Sequence, residues 1–174
     1  MTLRGVIECA DGNRSHAQNV LDYVSPDRTR GWVIKDAWLW CQTIRAQTPN
    51  DDHGQMIIQA QLSTEEVAPV FDQYVNDNRI FGWMQQQYMR RTTSSGSSTD
   101  YILPNAGLNV MCRFIIDHDT TIVKELWLGM GTSSDGSDEP LRLWNYLIDL
   151  EEVKISPEQS VFQQIKGMGQ SVSD

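Results

Sequence analysis

The chain has 174 residues, 40% of them apolar, and a net charge of −9 at pH 7. That length suits one domain spanning 1–174 that buries about 70% of the surface its unfolded chain exposes. The acidic balance argues against a protein whose main task is to hold nucleic acid by its phosphates, because such binding draws on clustered Lys and Arg. The excess acid is uneven: residues 1–91 carry 9 basic and 11 acidic side chains, and residues 92–174 carry 5 and 12. Arg28, Arg30, Arg90 and Arg91 read as solvated arginines rather than a basic surface.

The opening MTLRGVIECADG has no cationic segment followed by an apolar run, which predicts no signal peptide. The Asn13-Arg14-Ser15 sequon then has no secretory context. No stretch approaches the length of a membrane span. Cys9, Cys41 and Cys112 form no CxxC pair and have no histidine cluster, so they read as buried thiols in a reducing compartment.

In chain order, residues 3–9 read as a first short strand closed by a turn at Asp11-Gly12-Asn13, and residues 19–24 as a second. Ser25-Pro26-Asp27 turns the chain into Gly31–Ile44 (GWVIKDAWLWCQTI), which holds three of the six tryptophans. Alternation over this stretch puts Trp32, Ile34, Asp36, Trp38, Trp40, Gln42 and Ile44 on one face and Val33, Lys35, Ala37, Leu39, Cys41 and Thr43 on the other. At about 3.4 Å per residue the run spans roughly 45 Å, long enough that it is expected to bend or pass into a loop. After a turn over 48–52, Gln55–Leu62 alternates as a half-buried strand. Ser63 with Glu66 three residues on resembles a helix cap, so a short helix or turn is expected over 64–75, although Pro69 interrupts it.

Arg79–Thr92 is strand-like, Thr93–Thr99 a Ser/Gly-rich loop tip, and 99–103 a short strand ending at Pro104. Leu108–Ile116 and Thr121–Met130, joined by a turn at Asp117-His118-Asp119, carry the signature of a hairpin. A polar loop over 131–140 leads into Leu141–Ile155, where Trp144, Tyr146, Ile148 and Leu150 share a face. Ser156 then caps a C-terminal helix over 156–170, with Pro157 at its first position and Gln159 completing a capping box. Val161, Phe162, Ile165 and Met168 make its apolar stripe, and Gly167 and Gly169 end it. Eight or nine strands without βαβ alternation predict an all-β, antiparallel two-sheet sandwich of the jelly-roll type with a short C-terminal helix.

Chemistry is sparsely signalled. Asp117-His118-Asp119 and Asp51-Asp52-His53 would bind a divalent metal only if both loops met; otherwise they are ordinary turn residues. Asp135–Glu139 has oxygen ligands for calcium without the spacing of a helix-loop-helix site. His16, His53 and His118 have no nucleophile in a GxSxG context, and Gly129-Met130-Gly131 lacks the residues of a phosphate loop. No catalytic, cofactor or metal residues are assigned, and the chain does not read as an enzyme. The tryptophans read as core or subunit interface, or as a platform for sugar rings in a lectin. Trp38, Trp40, Trp83, Phe162 and Ile165 are the candidate interface residues.

GWVIKDAWLW, the strand end at Gln59–Thr64 (QAQLST), the pair LNVMCRFI and IVKELWLGM, and the ending YLIDLEEVKISPEQSVFQQIKGMGQ together resemble the single jelly-roll capsid proteins of small icosahedral viruses. The resemblance lies in the order of strands rather than in one motif, and it touches most of the chain. It implies a self-assembling shell subunit located in the virion and made in the host cytoplasm. No cofactor is implied, and the partners are copies of itself and a second capsid protein. Many such proteins carry an Arg/Lys-rich arm that neutralises the genome, and this chain has none. In its acidity it is more similar to capsids that enclose an internal membrane, whose jelly rolls need no strong nucleic-acid contact. A carbohydrate-binding sandwich, lectin-like or a virion spike domain with a glycan partner, is the alternative.

Overall fold

A computed structural model of the chain describes residues 1–10, 14–22, 29–42, 52–67, 77–92, 101–104, 111–134 and 141–171. Ten strands and one helix lie in these segments: β1 (Thr2–Ala10), β2 (Arg14–Asp22), β3 (Arg30–Cys41), β4 (Asp52–Ser63), β5 (Ile80–Thr92), β6 (Tyr101–Pro104), β7 (Cys112–Arg113), β8 (Ile115–Ile116), β9 (Glu125–Ser134), β10 (Leu141–Lys154) and α1 (Pro157–Ser171). They form two antiparallel sheets. One has the order β1-β10-β3-β7, the other β2-β9-β4-β5-β6 with β8 beside β5. The pairing is nested: β1 with β10, β2 with β9, β3 with β7, and β4 with β5.

The core is made where the inner faces of the two sheets meet. β10 contributes Trp144, Tyr146, Ile148 and Leu150, every second residue, all buried as its alternation requires. Opposite them, β4 contributes Ile58, Ala60 and Leu62, and β9 contributes Leu126, Leu128 and Met130. The Cys9 thiol on the first sheet reaches the Met130 carbonyl on the second at 3.9 Å, so the layers are in contact. All three cysteines are buried free thiols, as their strand positions predict.

The long tryptophan strand departs from simple alternation. Asp36 pairs with Asp149 and Ile34 with Leu150, so Lys35 is an extra residue opposite no partner, a β-bulge. A bulge reverses the parity of everything beyond it. Ile34 faces the core on one side of Lys35, and Ala37, Leu39 and Cys41 face it on the other. Trp38 and Trp40 are thereby turned to the outer face of the sheet, half-buried, on the opposite side from Ile34. The expected common face for Ile34, Trp38 and Trp40 is therefore corrected, and β3 ends at Cys41 rather than running to Ile44. Phe81 is a second extra residue, lying between Gly82 opposite Leu62 and Ile80 opposite Ser63, and its ring is buried.

Three further expectations change. Cys112–Arg113 pairs with β3 in the first sheet and Ile115–Ile116 with β5 in the second, so 108–116 is not one strand. The chain changes sheets at buried Phe114, whose amide donates to the Ala37 carbonyl at 3.0 Å. Nor is there a hairpin across Asp117–Asp119, because β9 pairs with β2 and β4. Asp117 nonetheless makes the turn, accepting from the Asp119 amide at 3.1 Å and from the Thr120 hydroxyl at 3.0 Å. Ser63 ends β4 and donates its hydroxyl to the Glu65 carbonyl at 2.7 Å instead of capping a helix.

Strand β2 begins at Arg14, five residues before the expected start. β9 runs to Ser134, into the expected loop. The turns at 11–13, 25–27 and 48–51, the loop tip at 93–99, most of the segment 64–75 and the acidic loop 135–139 lie outside the described residues.

Candidate functional site

The five candidate residues fall on three surfaces. Trp38 and Trp40 lie together on the outer face of the β1-β10-β3-β7 sheet, Trp83 lies on the outer face of the other sheet, and Phe162 and Ile165 lie on α1.

The helix starts where its capping residues dictate. The Gln159 amide donates to Ser156 Oγ at 3.2 Å and the Ser156 amide to Gln159 Oε1 at 3.0 Å, a reciprocal capping box with Pro157 at the first helical position. Contrary to the expected stop at Gly167 and Gly169, it runs to Ser171. At 100° per residue, Ser160, Gln163 and Gln164 share one side of the helix and Val161, Phe162 and Ile165 the opposite side. The polar side is the one turned inward. Ser160 is 2% exposed, whereas Phe162 is 66% and Ile165 57% exposed. An amphipathic helix normally buries its apolar stripe, and this one presents it outward.

Beneath the helix, between its Gln163 and Gln164, the residues that follow β4 and the segment leading into β9, is a cavity of about 210 Å³. Its charged lining is Glu65, Lys124 and Glu125. Lys124 pairs with Glu125, and the Trp127 indole N–H donates to the same carboxylate at 2.9 Å. Those two hydrogen bonds, the lysine's first, hold Glu125 below the usual carboxylate range despite its partial burial. Gln163 and Gln164 line the same cavity as the Lys124–Glu125 pair.

On the outer face of the first sheet the register aligns Arg4, Leu147, Trp38 and Arg113 in one row, and Val6, Asn145 and Trp40 in the next. Leu143 follows, also exposed. Toward the bulge the face is polar and its groups are matched: Arg113 to Asp36 at 2.7 Å, Thr2 to Asp149 at 2.6 Å, and Lys35 to Glu151. The apolar half, Val6, Leu143, Leu147, Trp38 and Trp40, has no layer over it among the described residues.

Sequence reasoning identified the tryptophans of this patch and missed Val6, Leu143 and Leu147. The available signal was in β10, where Leu143 and Leu147 are apolar on the parity opposite Trp144 to Leu150. A strand apolar on both faces expects cover on both.

Trp83 is half-buried between Gln61 on β4 and the exposed Ile115 on β8. Its indole N–H and the Gln61 side-chain oxygen are both buried without a hydrogen bond, while the Gln61 amide nitrogen donates to the Val67 carbonyl at 3.0 Å. Trp83 therefore joins neither of the other two surfaces.

Among the described residues no three of His, Cys, Asp and Glu converge to hold a metal ion. His118 Nδ1 lies 3.0 Å from the Ile34 carbonyl, which fixes the ring against β3. Asp52 and His53, expected in a companion loop, begin β4, and the side chains of 51–53 lie outside the described residues. No helix among the described residues is long and apolar enough to cross a membrane.

No protein-family model and no curated protein matches the sequence. The class that the fold defines is an antiparallel all-β sandwich with one C-terminal helix.

Proposed function

We propose that this chain is a structural subunit that assembles with copies of itself into the shell of an icosahedral virion. The observation that carries the reading is the orientation of α1, which spends its polar side on its own sandwich and offers Val161, Phe162 and Ile165 to a neighbour. Burial of such a stripe drives association in proportion to the apolar area removed from water. The apolar half of the Trp38–Trp40 face adds a second surface of the same kind.

Support for a jelly roll comes from the nested strand pairs. β1 pairs with β10, β2 with β9, β3 with β7 and β4 with β5, each pair enclosing the next, which is the connectivity of one long hairpin rolled into two sheets. A subunit of net charge −9 suits a shell whose inner surface meets a membrane or a second capsid protein rather than packaged nucleic acid. Its location would be the virion, after synthesis in the host cytoplasm.

Negative-stain electron microscopy of the protein across concentration and salt tests the proposal. Rings or closed shells of uniform size are expected. Particles no larger than one sandwich under every condition overturn it.

One observation favours a second reading, a glycan-binding module. Trp38 and Trp40 stand two residues apart on an open face, about 7 Å along the strand, beside Asn145 and the Asp36–Arg113 pair. Binding in a glycan screen that is lost in Trp40→Ala would support this reading, and an empty screen with and without calcium would dispose of it.

A further inference from the structure

We infer that the free edge of β1 pairs with the same edge of a second copy, antiparallel about a two-fold axis through Val6, joining two four-stranded sheets into one. The inference rests on the self-assembly reading and names one interface within it.

β1 stands at the end of its sheet with β10 as its one ladder partner among the described residues. An exposed strand edge is a template for pairing, and proteins blunt such edges with bulges, prolines, edge charges or short strands. β1 has no bulge or proline and is not short, and its two charges, Arg4 and Glu8, are of opposite sign. It runs nine residues without proline, in unbroken register from Thr2 opposite Asp149 to Ala10 opposite Leu141. The other edges are blunted: β2 carries an extra residue at Val20, β6 has four residues and β7 two.

The orientation of the backbone decides which residues would pair. Met1 and Leu150 exchange hydrogen bonds in both directions, at 2.6 and 2.7 Å. In an antiparallel ladder bonded and non-bonded pairs alternate, so Leu3, Gly5, Ile7 and Cys9 turn their N–H and C=O groups to β10. Thr2, Arg4, Val6 and Glu8 turn theirs outward to the free edge.

Charge then selects the register. With the axis through Val6, Arg4 of each copy lies opposite Glu8 of the other, on the outer face of the sheet, and the two Val6 side chains meet. An axis through Arg4 or Glu8 sets like charges against each other, and an axis through Gly5 or Ile7 matches no opposite charges. Val6 is 39% exposed in the single chain and shares a row with Trp40. Pairing at Val6 makes the two apolar faces continuous across the joined sheet.

The test uses the full chain and sedimentation equilibrium. Arg4→Glu alone and Glu8→Arg alone each place like charges at both symmetric contacts and are expected to raise the dissociation constant about tenfold or more. The double variant R4E/E8R restores opposite charges and is expected to return it to within about threefold of wild type, a rescue that a folding defect would not give. Val6→Cys is expected to form a disulfide-linked dimer on oxidation, because directly opposed bonded residues lie about 5.5 Å apart between Cα atoms, within disulfide reach.

If the single variants associate like wild type and Val6→Cys fails to cross-link, the β1 interface is overturned while self-assembly stands. If wild type remains a monomer at every concentration, both are overturned.

Discussion

Replacing Phe162 by serine separates an interface role from a core role more cleanly than any other single change. The ring is 66% exposed in the isolated chain, so its removal takes away little internal packing. Substitutions at such positions fall within about 0.5 kcal/mol of wild type, or less than about 2 °C in Tm for a chain of this size. In an assembly that covers the helix face the same ring matters. Two thirds of a phenylalanine's roughly 200 Å² is about 130 Å², which at about 25 cal/mol per Å² is about 3 kcal/mol per docked helix. That corresponds to about a hundredfold weaker association.

Thermal unfolding by circular dichroism and a light-scattering dilution series read the two quantities side by side. The expected outcome is an unchanged Tm with dissociation shifted by about two decades in concentration. A Tm lowered by many degrees with unchanged assembly would place the ring in its own core and refute the reasoning. Ser160→Arg supplies the converse, a charge forced into the 2% exposed seat of the helix, with a marked loss of stability expected.

Three other outcomes follow from the packing. Burial alone would raise the Asp77 carboxyl, but the hydrogen bonds and charge of Arg79 outweigh it and hold it below the ordinary value. With the folded pKa depressed, the pair's contribution is complete above the unfolded value of about 3.9 and is lost as pH falls through the folded one. Asp77→Asn should therefore cost about 2 kcal/mol in denaturant titrations near neutral pH, and the difference from wild type should shrink below about pH 4. A difference independent of pH would contradict this. Gly82→Ala should destabilise by about 1–3 kcal/mol in urea titrations, because the added carbon would lie 2.9 Å from Leu62 Cβ, an atom fixed to the neighbouring strand; a neutral result would mean the strands part readily. Ser156→Ala should cost about 1 kcal/mol in urea titrations by removing the cap of α1 and should weaken assembly, while Ser156→Asp should preserve both.

How much of this was legible in the sequence depends on whether the signal is local. The alternation of Trp144 to Leu150, that of Ile58 to Leu62, and the Ser156–Gln159 box are local, and each forms where expected. The parity of Trp38 and Trp40 is not, because the extra residue at Lys35 exists only relative to its partner strand. For the same reason 108–116 looked like one strand, since nothing in LNVMCRFII marks the point at which Phe114 crosses the sandwich. The polar RSHAQ start of β2 becomes strand through its pairing with β9. On α1 the stripe was readable and its direction was not. Periodicity reveals an apolar side, whereas which side faces the body depends on tertiary placement, here with Ser160 buried and Gln163 and Gln164 lining the cavity beside Lys124 and Glu125.

The mass of the purified protein by light scattering, followed across concentration and salt, separates a self-assembling subunit from a monomer. A structural subunit with the outward helix face described above should show masses rising through multiples of 19.8 kDa as concentration increases. A mass that stays at 19.8 kDa under all conditions would contradict it.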